Sequence, residues 1–244
     1  MHNAALRAAG LSGWRYQLLP VPPELFAETV RALPGSGFRG ANVTIPHKEA
    51  ALALADEPSA SAAAIGAANT LLFEQDGTIR AENTDAPALI AALPFRASGR
   101  TAMVLGAGGS ARAAVWALIN DGAAEVRVWN RHPERARKLC EEIGGTPAAG
   151  AAPADLLVNC TPVGLNGNRD DFKQLPLRTD EVAMFQCVVD LVYTHAETRF
   201  VQAAKTLGVS VVDGLDLLVG QGALSFELFT GLPAPVGQMR AAVI

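Results

Sequence analysis

Two groups of residues have types and spacing suited to chemistry. The first is Gly106-Ala107-Gly108-Gly109-Ser110-Ala111, a G-x-G-x-x-A pattern. An apolar run over Thr101–Leu105 precedes it, and Ala111, Ala114, Val115, Leu118 and Ile119 follow at helical spacing. In such a pattern the first glycine makes a tight turn and the second lets backbone approach a pyrophosphate. The small third residue allows helix to pack closely on strand. Free N–H groups and the dipole at the helix start favour phosphate charge. With a strand before it and a helix after it, the pattern reads as a dinucleotide-binding loop. The next strand, over Glu125–Trp129, leads into Asn130-Arg131-His132-Pro133-Glu134-Arg135. NAD sites usually carry a carboxylate here for the ribose 2′-hydroxyl. Guanidinium groups suit a 2′-phosphate instead, so Arg131 and Arg135 point to NADP. The plain alternative is a solvated helix start.

The second group is a polar island in apolar surroundings: Asn42-Val43-Thr44-Ile45-Pro46-His47-Lys48, Asn69-Thr70 and Asn83-Thr84-Asp85. Polar groups at the ends of buried strands are costly unless hydrogen-bonded, and strand ends are where open α/β sheets bind ligands. Taken singly, Lys48 reads as a solvated surface charge and Asp85 as a helix N-cap. Spacing alone does not bring the two together.

The elements that must position these groups are legible in outline. Beyond the glycine loop, a helix over Pro133–Ile143 and apolar runs at 156–158, 187–189 and 209–212 alternate with a helical pattern at 196–207. That alternation predicts βαβ units and a mostly parallel sheet over 98–213. The first half reads as a second α/β unit, with strands at 16–19, 41–45 and 69–73 and helices at 23–33 and 48–55. A helix at 85–93 connects the two units, and an apolar helix at 215–229 crosses back to the first.

Composition narrows the class. The chain has 244 residues with 24 acidic and 20 basic side chains, a net charge of −4, and half of it is hydrophobic. That length suits one large or two modest domains, and the hydrophobic half excludes a disordered chain. A general nucleic-acid binder would need clustered basic residues, which are absent. The longest uncharged stretch, 58–73, has 16 residues, short of the roughly 20 apolar residues of a membrane span. No signal peptide is visible. Cys140, Cys160 and Cys187 are widely spaced, as expected of reduced cytoplasmic thiols, and no metal constellation is present.

Ordered along the chain, Asn42-Val-Thr-Ile-Pro-His-Lys48, Ile65-Gly-Ala-Ala-Asn69-Thr, Asn83-Thr-Asp85, Gly106-Ala-Gly-Gly-Ser, Asn130-Arg131, Asn159-Cys-Thr-Pro-Val-Gly164 and Gln221-Gly-Ala-Leu-Ser-Phe-Glu227 resemble shikimate dehydrogenases. The resemblance covers essentially the whole chain. It implies an α/β enzyme with a substrate domain over 1–85, joined by C-terminal helices at 215–244, and a Rossmann-type NADP domain over 98–213. It places the active site in the cleft between domains. The implied reaction moves a hydride between NADP(H) and C3 of the ring, interconverting 3-dehydroshikimate and shikimate in aromatic amino-acid biosynthesis. Lys48 matches the catalytic lysine and Asp85 its partner, a pairing suited to charge growing on a carbonyl oxygen. Thr44, Asn69, Asp85, Tyr193 and Gln221 match ligands of the ring hydroxyls. Gly106, Ala107, Gly108, Gly109, Ser110, Ala111, Asn130, Arg131, Arg135, Thr161, Leu191 and Gly214 match positions that hold the cofactor. The partner implied is a small-molecule substrate, with neither nucleic acid nor membrane; the sequence does not settle the oligomeric state, for which a homodimer is one option.

The chain departs from the family in places. It opens at the helix containing Met1-His2-Asn3-Ala4-Ala5, without the family's first strand and the Ser-x-Ser segment that holds the substrate carboxylate. A misplaced start, a truncation or a diverged form would each produce this; no residue is an obvious replacement clamp, with Arg15 or Arg39 a hypothetical one. Ala-Pro-Ala follows Asp85 where a glycine turn is usual, and His195 stands where proline is common. His47 reads as structural. A paralogue acting on quinate or an amino-shikimate, and a non-catalytic nucleotide sensor, are the rival functions.

Overall fold

A computed structural model describes residues 1–165, 171–194 and 196–243, so His195 lies outside the described residues. The chain divides into two units, one of residues 1–88 and 219–244, the other of residues 89–218.

The first unit opens with α1 (His2–Ala8) and α2 (Phe26–Ala32), followed by β1 (Gly40–Asn42), α3 (Lys48–Ala53), β2 (Glu57–Pro58), α4 (Ala60–Ile65), β3 (Thr70–Phe73) and β4 (Ile79–Glu82). Helix α5 (Asp85–Ala92) runs from this unit into the second. The sheet has the order β1-β3-β4-β2. β1 and β4 each pair antiparallel with β3, and β2 pairs parallel with β4. The register sets Asn42 opposite Thr70, and Thr70 opposite Glu82. Phe26, Val30, Val43, Ala51, Leu71, Phe73 and Ile79 form the core over which the sheet lies.

Two expectations for this unit are corrected. Residues 16–19 form no strand. The Asn3 carboxamide takes both backbone groups of Tyr16, accepting from its N–H at 2.8 Å and donating to its carbonyl at 2.8 Å. A side chain thus does the work of a neighbouring strand, while Leu18 and Leu19 are exposed. The strand expected at 41–45 ends at Asn42, because Thr44 to His47 makes a turn closed by the His47 N–H on the Thr44 carbonyl, with Pro46 offering no N–H to a ladder. β4 was missing from the expected strands, although Asp76-Gly77 between apolar segments is a hairpin signal.

The second unit continues with β5 (Thr101–Leu105), α6 (Gly109–Asn120), β6 (Glu125–Trp129), α7 (Pro133–Ile143), β7 (Thr146–Pro147), β8 (Leu156–Asn159), β9 (Cys187–Asp190), α8 (Arg199–Thr206) and β10 (Ser210–Val212). Its sheet is parallel throughout, in the order β10-β9-β8-β5-β6-β7. β8 and β9 are buried along their whole length, as expected where helices cover both faces of a parallel sheet. The alternating apolar runs of the sequence are these strands. Helix α8 starts later than expected, after Thr198, whose hydroxyl accepts the Val201 N–H as an N-cap. The chain then leaves through α9 (Gly214–Thr230), which runs back into the first unit, and ends with α10 (Val236–Ala241).

Candidate active site

In the first unit the polar island closes into one network. Lys48 opens α3 and Asp85 opens α5. Lys48 Nζ donates to Asp85 Oδ2 at 2.6 Å, with the two side chains only 11% and 16% exposed. The reading of Asp85 as an N-cap is corrected: Asn83 accepts the Ala86 N–H at the helix start and donates to the Ala67 carbonyl. Because Asn83 does the capping, the Asp85 carboxylate is left for Lys48.

The other carboxylate oxygen belongs to Asn69, whose Nδ2 donates to Asp85 Oδ1 at 2.8 Å and to Thr84 Oγ1 at 2.9 Å. Gln221, on α9, brings its Oε1 within 3.4 Å of the same amide nitrogen. Thr44 stands exposed in the turn between β1 and α3. A nearly buried cation and anion, held by a neutral amide, form a compact unit able to hold or move a proton. His47 lies outside it, with Nε2 at 2.9 Å from the Val21 carbonyl and its ring stacked on Phe26.

Behind the pair lie residues that motif matching left without a role. Asn42 Nδ2 donates to Thr70 Oγ1 at 3.2 Å, and Thr70 Oγ1 donates to Asn69 Oδ1 at 3.2 Å. The Tyr16 hydroxyl donates to Asn42 Oδ1, and Ser225 lies between Asn42 and the His2 ring. His2 is buried and stacked on Tyr16. Burial first, and the positive N-terminus second, lower its pKa to about 4, so it is neutral near pH 7. The available signal was the pairing of Asn42 with Thr70 on adjacent strands, which a linear motif does not display.

Arg15 lines a cavity of about 440 Å³ together with Arg7, Trp14 and Tyr16. Arg39 is exposed just before β1. Neither bonds to the Lys48–Asp85 network among the described residues.

In the second unit the glycine loop joins β5 to α6. The sheet order reverses between β5 and β8, and ligands of open α/β sheets bind at such a switch point. Gly106 has φ of +114°, and a Cβ there would lie 3.1 Å from the Cys160 backbone. At Gly108, by contrast, a Cβ would meet nothing within 4 Å, and no side chain caps the first turn of α6. This leaves backbone open to a diphosphate. Beyond β6, Arg131 and Arg135 are exposed and have no ion-pair partner among the described residues, while Asn130 donates to the His132 carbonyl. An open loop with two uncommitted guanidiniums one strand away fits a 2′-phosphorylated dinucleotide. Ala107 completes the turn, Gly109 and Ser110 open α6, and Ala111 is buried against the sheet. A Cβ on Gly214 would lie 2.3 Å from the Val192 carbonyl oxygen, so only glycine fits that contact. Leu191 is half-buried and Tyr193 exposed in the same segment.

Thr161 belongs to a second polar chain. Its hydroxyl donates to Asn159 Oδ1 at 2.7 Å, Asn159 Nδ2 donates to Asp190 Oδ1 at 2.9 Å, and the Thr198 hydroxyl donates to Asp190 Oδ2 at 2.6 Å. Asp190 is fully buried. Burial raises its pKa to about 6 against the lowering effect of those hydrogen bonds.

A parallel sheet with an open glycine turn, in one chain with a lysine–carboxylate pair, is the equipment of a dinucleotide-dependent oxidoreductase. Family models match at residues 1–71 (shikimate dehydrogenase substrate binding domain), 90–158 (shikimate / quinate 5-dehydrogenase) and 214–244 (shikimate 5'-dehydrogenase C-terminal domain). The chain belongs to the shikimate dehydrogenase family. It is 45% identical to the shikimate dehydrogenase (NADP(+)) of Methylobacterium radiotolerans over 96% of this chain and 86% of that one. It is 41% identical to that of Methanopyrus kandleri over 100% and 89%. Among solved structures, shikimate 5-dehydrogenase from Thermus thermophilus, in complex with NADP(H) and shikimate, matches with a TM-score of 0.86 and 41% identity, covering 99% of this chain and 91% of that one.

Proposed function

We propose that the protein is an NADP-dependent oxidoreductase that interconverts 3-dehydroshikimate and shikimate. The observation that carries the proposal is the nearly buried Lys48–Asp85 pair at 2.6 Å. NADP(H), when bound, supplies or takes the hydride at C3. In the direction of reduction, Lys48 stabilises the negative charge growing on the carbonyl oxygen and gives it a proton, completing the alcohol. In the reverse direction the Lys48 amine takes that proton. Asp85 holds the Lys48 nitrogen in place, and Asn69 fixes the carboxylate. Thr44, Asn69, Asp85, Tyr193 and Gln221 are the assigned partners of the ring hydroxyls, since a polyol buried without partners loses free energy at every hydroxyl.

Cofactor binding is assigned to the turn from Gly106 to Ala111, with Asn130, Arg131 and Arg135 at the adenosine phosphate and Thr161, Leu191 and Gly214 lining the site. Residues 1–85 and 215–244 are the proposed substrate domain, and 98–213 the NADP domain. We place the enzyme in the cytoplasm, in keeping with three free, buried cysteines and no helix long and apolar enough to cross a membrane among the described residues. A homodimer is the proposed assembly, to be read by sedimentation velocity.

The test is NADPH formation by the purified chain with shikimate and NADP, followed by absorbance, alongside quinate and other cyclic polyols. Turnover of shikimate with a clear preference over the panel is expected. NADP binding without turnover of any polyol would overturn the proposal in favour of a nucleotide sensor.

A further inference from the structure

We infer that Thr70 is a positioning residue for the Lys48–Asp85 pair; this rests on the reading of that pair given above. Its side chain is fully buried, so it acts on the chemistry only through its neighbours. Its role follows from the direction of the hydrogen bonds. The Thr84 backbone N–H lies 2.8 Å from one terminal atom of the Asn69 amide. A backbone N–H only donates, so that atom must be the oxygen. Asn69 Nδ2 therefore faces Asp85 Oδ1 and donates to it.

Thr70 Oγ1 lies 3.2 Å from the same Asn69 oxygen, which accepts only, so the Thr70 hydroxyl proton is committed there. The lone pairs of Thr70 then require a donor, and Asn42 Nδ2 supplies it at 3.2 Å. This leaves Asn42 Oδ1 to accept from the Tyr16 hydroxyl at 3.1 Å. A single backbone N–H thus sets the polarity from Tyr16 through Asn42, Thr70 and Asn69 to Asp85, every step donating toward the carboxylate. Thr70 is the buried link that holds two amides, Asn42 and Asn69, in complementary orientations. Hydrogen-bond chains of uniform direction strengthen one another in a low-dielectric interior. Small displacements of a catalytic group are costly in rate.

The experiment compares Thr70→Val, which removes the hydroxyl at nearly constant shape, with Thr70→Ser, which keeps it. Thr70→Val is expected to lower kcat for shikimate about tenfold, the loss of roughly one hydrogen bond's worth of positioning, with KM for NADP unchanged. Thr70→Ser is expected to recover kcat to within about twofold, a rescue that a packing role would not produce since serine leaves the methyl cavity. A second measurement needs no substrate: the side-chain amide N–H resonances of Asn69 should move in Thr70→Val and return in Thr70→Ser. Thr70→Ala replaces the valine variant in both measurements if valine does not fold. Unchanged kcat and unmoved amide resonances in the hydroxyl-free variant overturn the inference, as does a serine variant as slow as it. If the wild type turns over no shikimate, the proposed function fails and the amide resonances still decide the role of Thr70.

Discussion

The two units contain the same small device in two chemical settings. In each, a backbone N–H fixes an asparagine amide, from Thr84 onto Asn69 and from Thr161 onto Asn159. In each, that amide donates to one oxygen of an aspartate, Asp85 or Asp190. The difference is the partner of the second oxygen: the Lys48 ammonium in the first unit, the Thr198 hydroxyl in the second. A neutral hydroxyl satisfies the geometry of a buried carboxylate but not its charge, so burial raises the pKa of Asp190 to about 6. A cationic partner adds Coulomb attraction and a proton that can be handed on. The same hydrogen-bond pattern is therefore structural in one unit and suited to chemistry in the other.

The sharpest way to break this comparison is to remove the cation. Lys48→Ala should lower kcat about 10²–10⁴-fold, the usual weight of positioned acid–base catalysis. Near-normal turnover would make the first device as structural as the second. In the second unit the proposed cofactor site is the one to test. Arg131→Ala should raise KM for NADP about 10–100-fold, in line with the loss of a charge-assisted phosphate contact, while NAD use hardly changes. Equal effects on both cofactors would remove Arg131 from phosphate recognition.

Acid should act on the two units with opposite signs. His2, with its folded pKa lowered to about 4, binds fewer protons in the native state than the free imidazole value near ~6.5 dictates for the unfolded chain. Its contribution is full above about 6.5 and is lost as pH falls toward 4, about 3 kcal/mol in all. Asp190, with its folded pKa raised to about 6, binds more protons in the native state than an unfolded carboxylate near ~3.9. It makes the protein more stable as pH falls from about 6 to 4, again by about 3 kcal/mol. His2→Gln should therefore flatten the loss of stability on acidification, and Asp190→Asn should steepen it, in thermal unfolding across pH 4 to 7. Identical slopes in both variants would refute the assignment.

The smallest effect concerns the turn itself. Gly106→Ala should lower stability by about 1–3 kcal/mol, since it forces an L residue to positive φ against Cys160. Gly108→Ala, facing open space, should leave thermal unfolding nearly unchanged and weaken NADP binding instead.

Much of this was written locally. The turn from Gly106 to Ala111, the arginines after β6 and the alternation of strand and helix over the second unit follow from residues within a few positions of one another. Their backbone consequences act over the same distance. The identities of Lys48 and Asp85 were legible for a different reason: they stand in ordered motifs shared with a family. The same motifs implied their partnership across 37 residues, but not the capping by Asn83 that leaves Asp85 to Lys48. Nor did they show the Asn3 side chain standing in for a strand beside Tyr16, or the Thr70 hydroxyl between Asn42 and Asn69. Each of these is a hydrogen bond whose partner is chosen only when distant segments meet. Sequence determined which donors and acceptors exist and how nearby backbone bends; the tertiary structure decided who bonds to whom, because an unpartnered buried polar group costs more than any local preference.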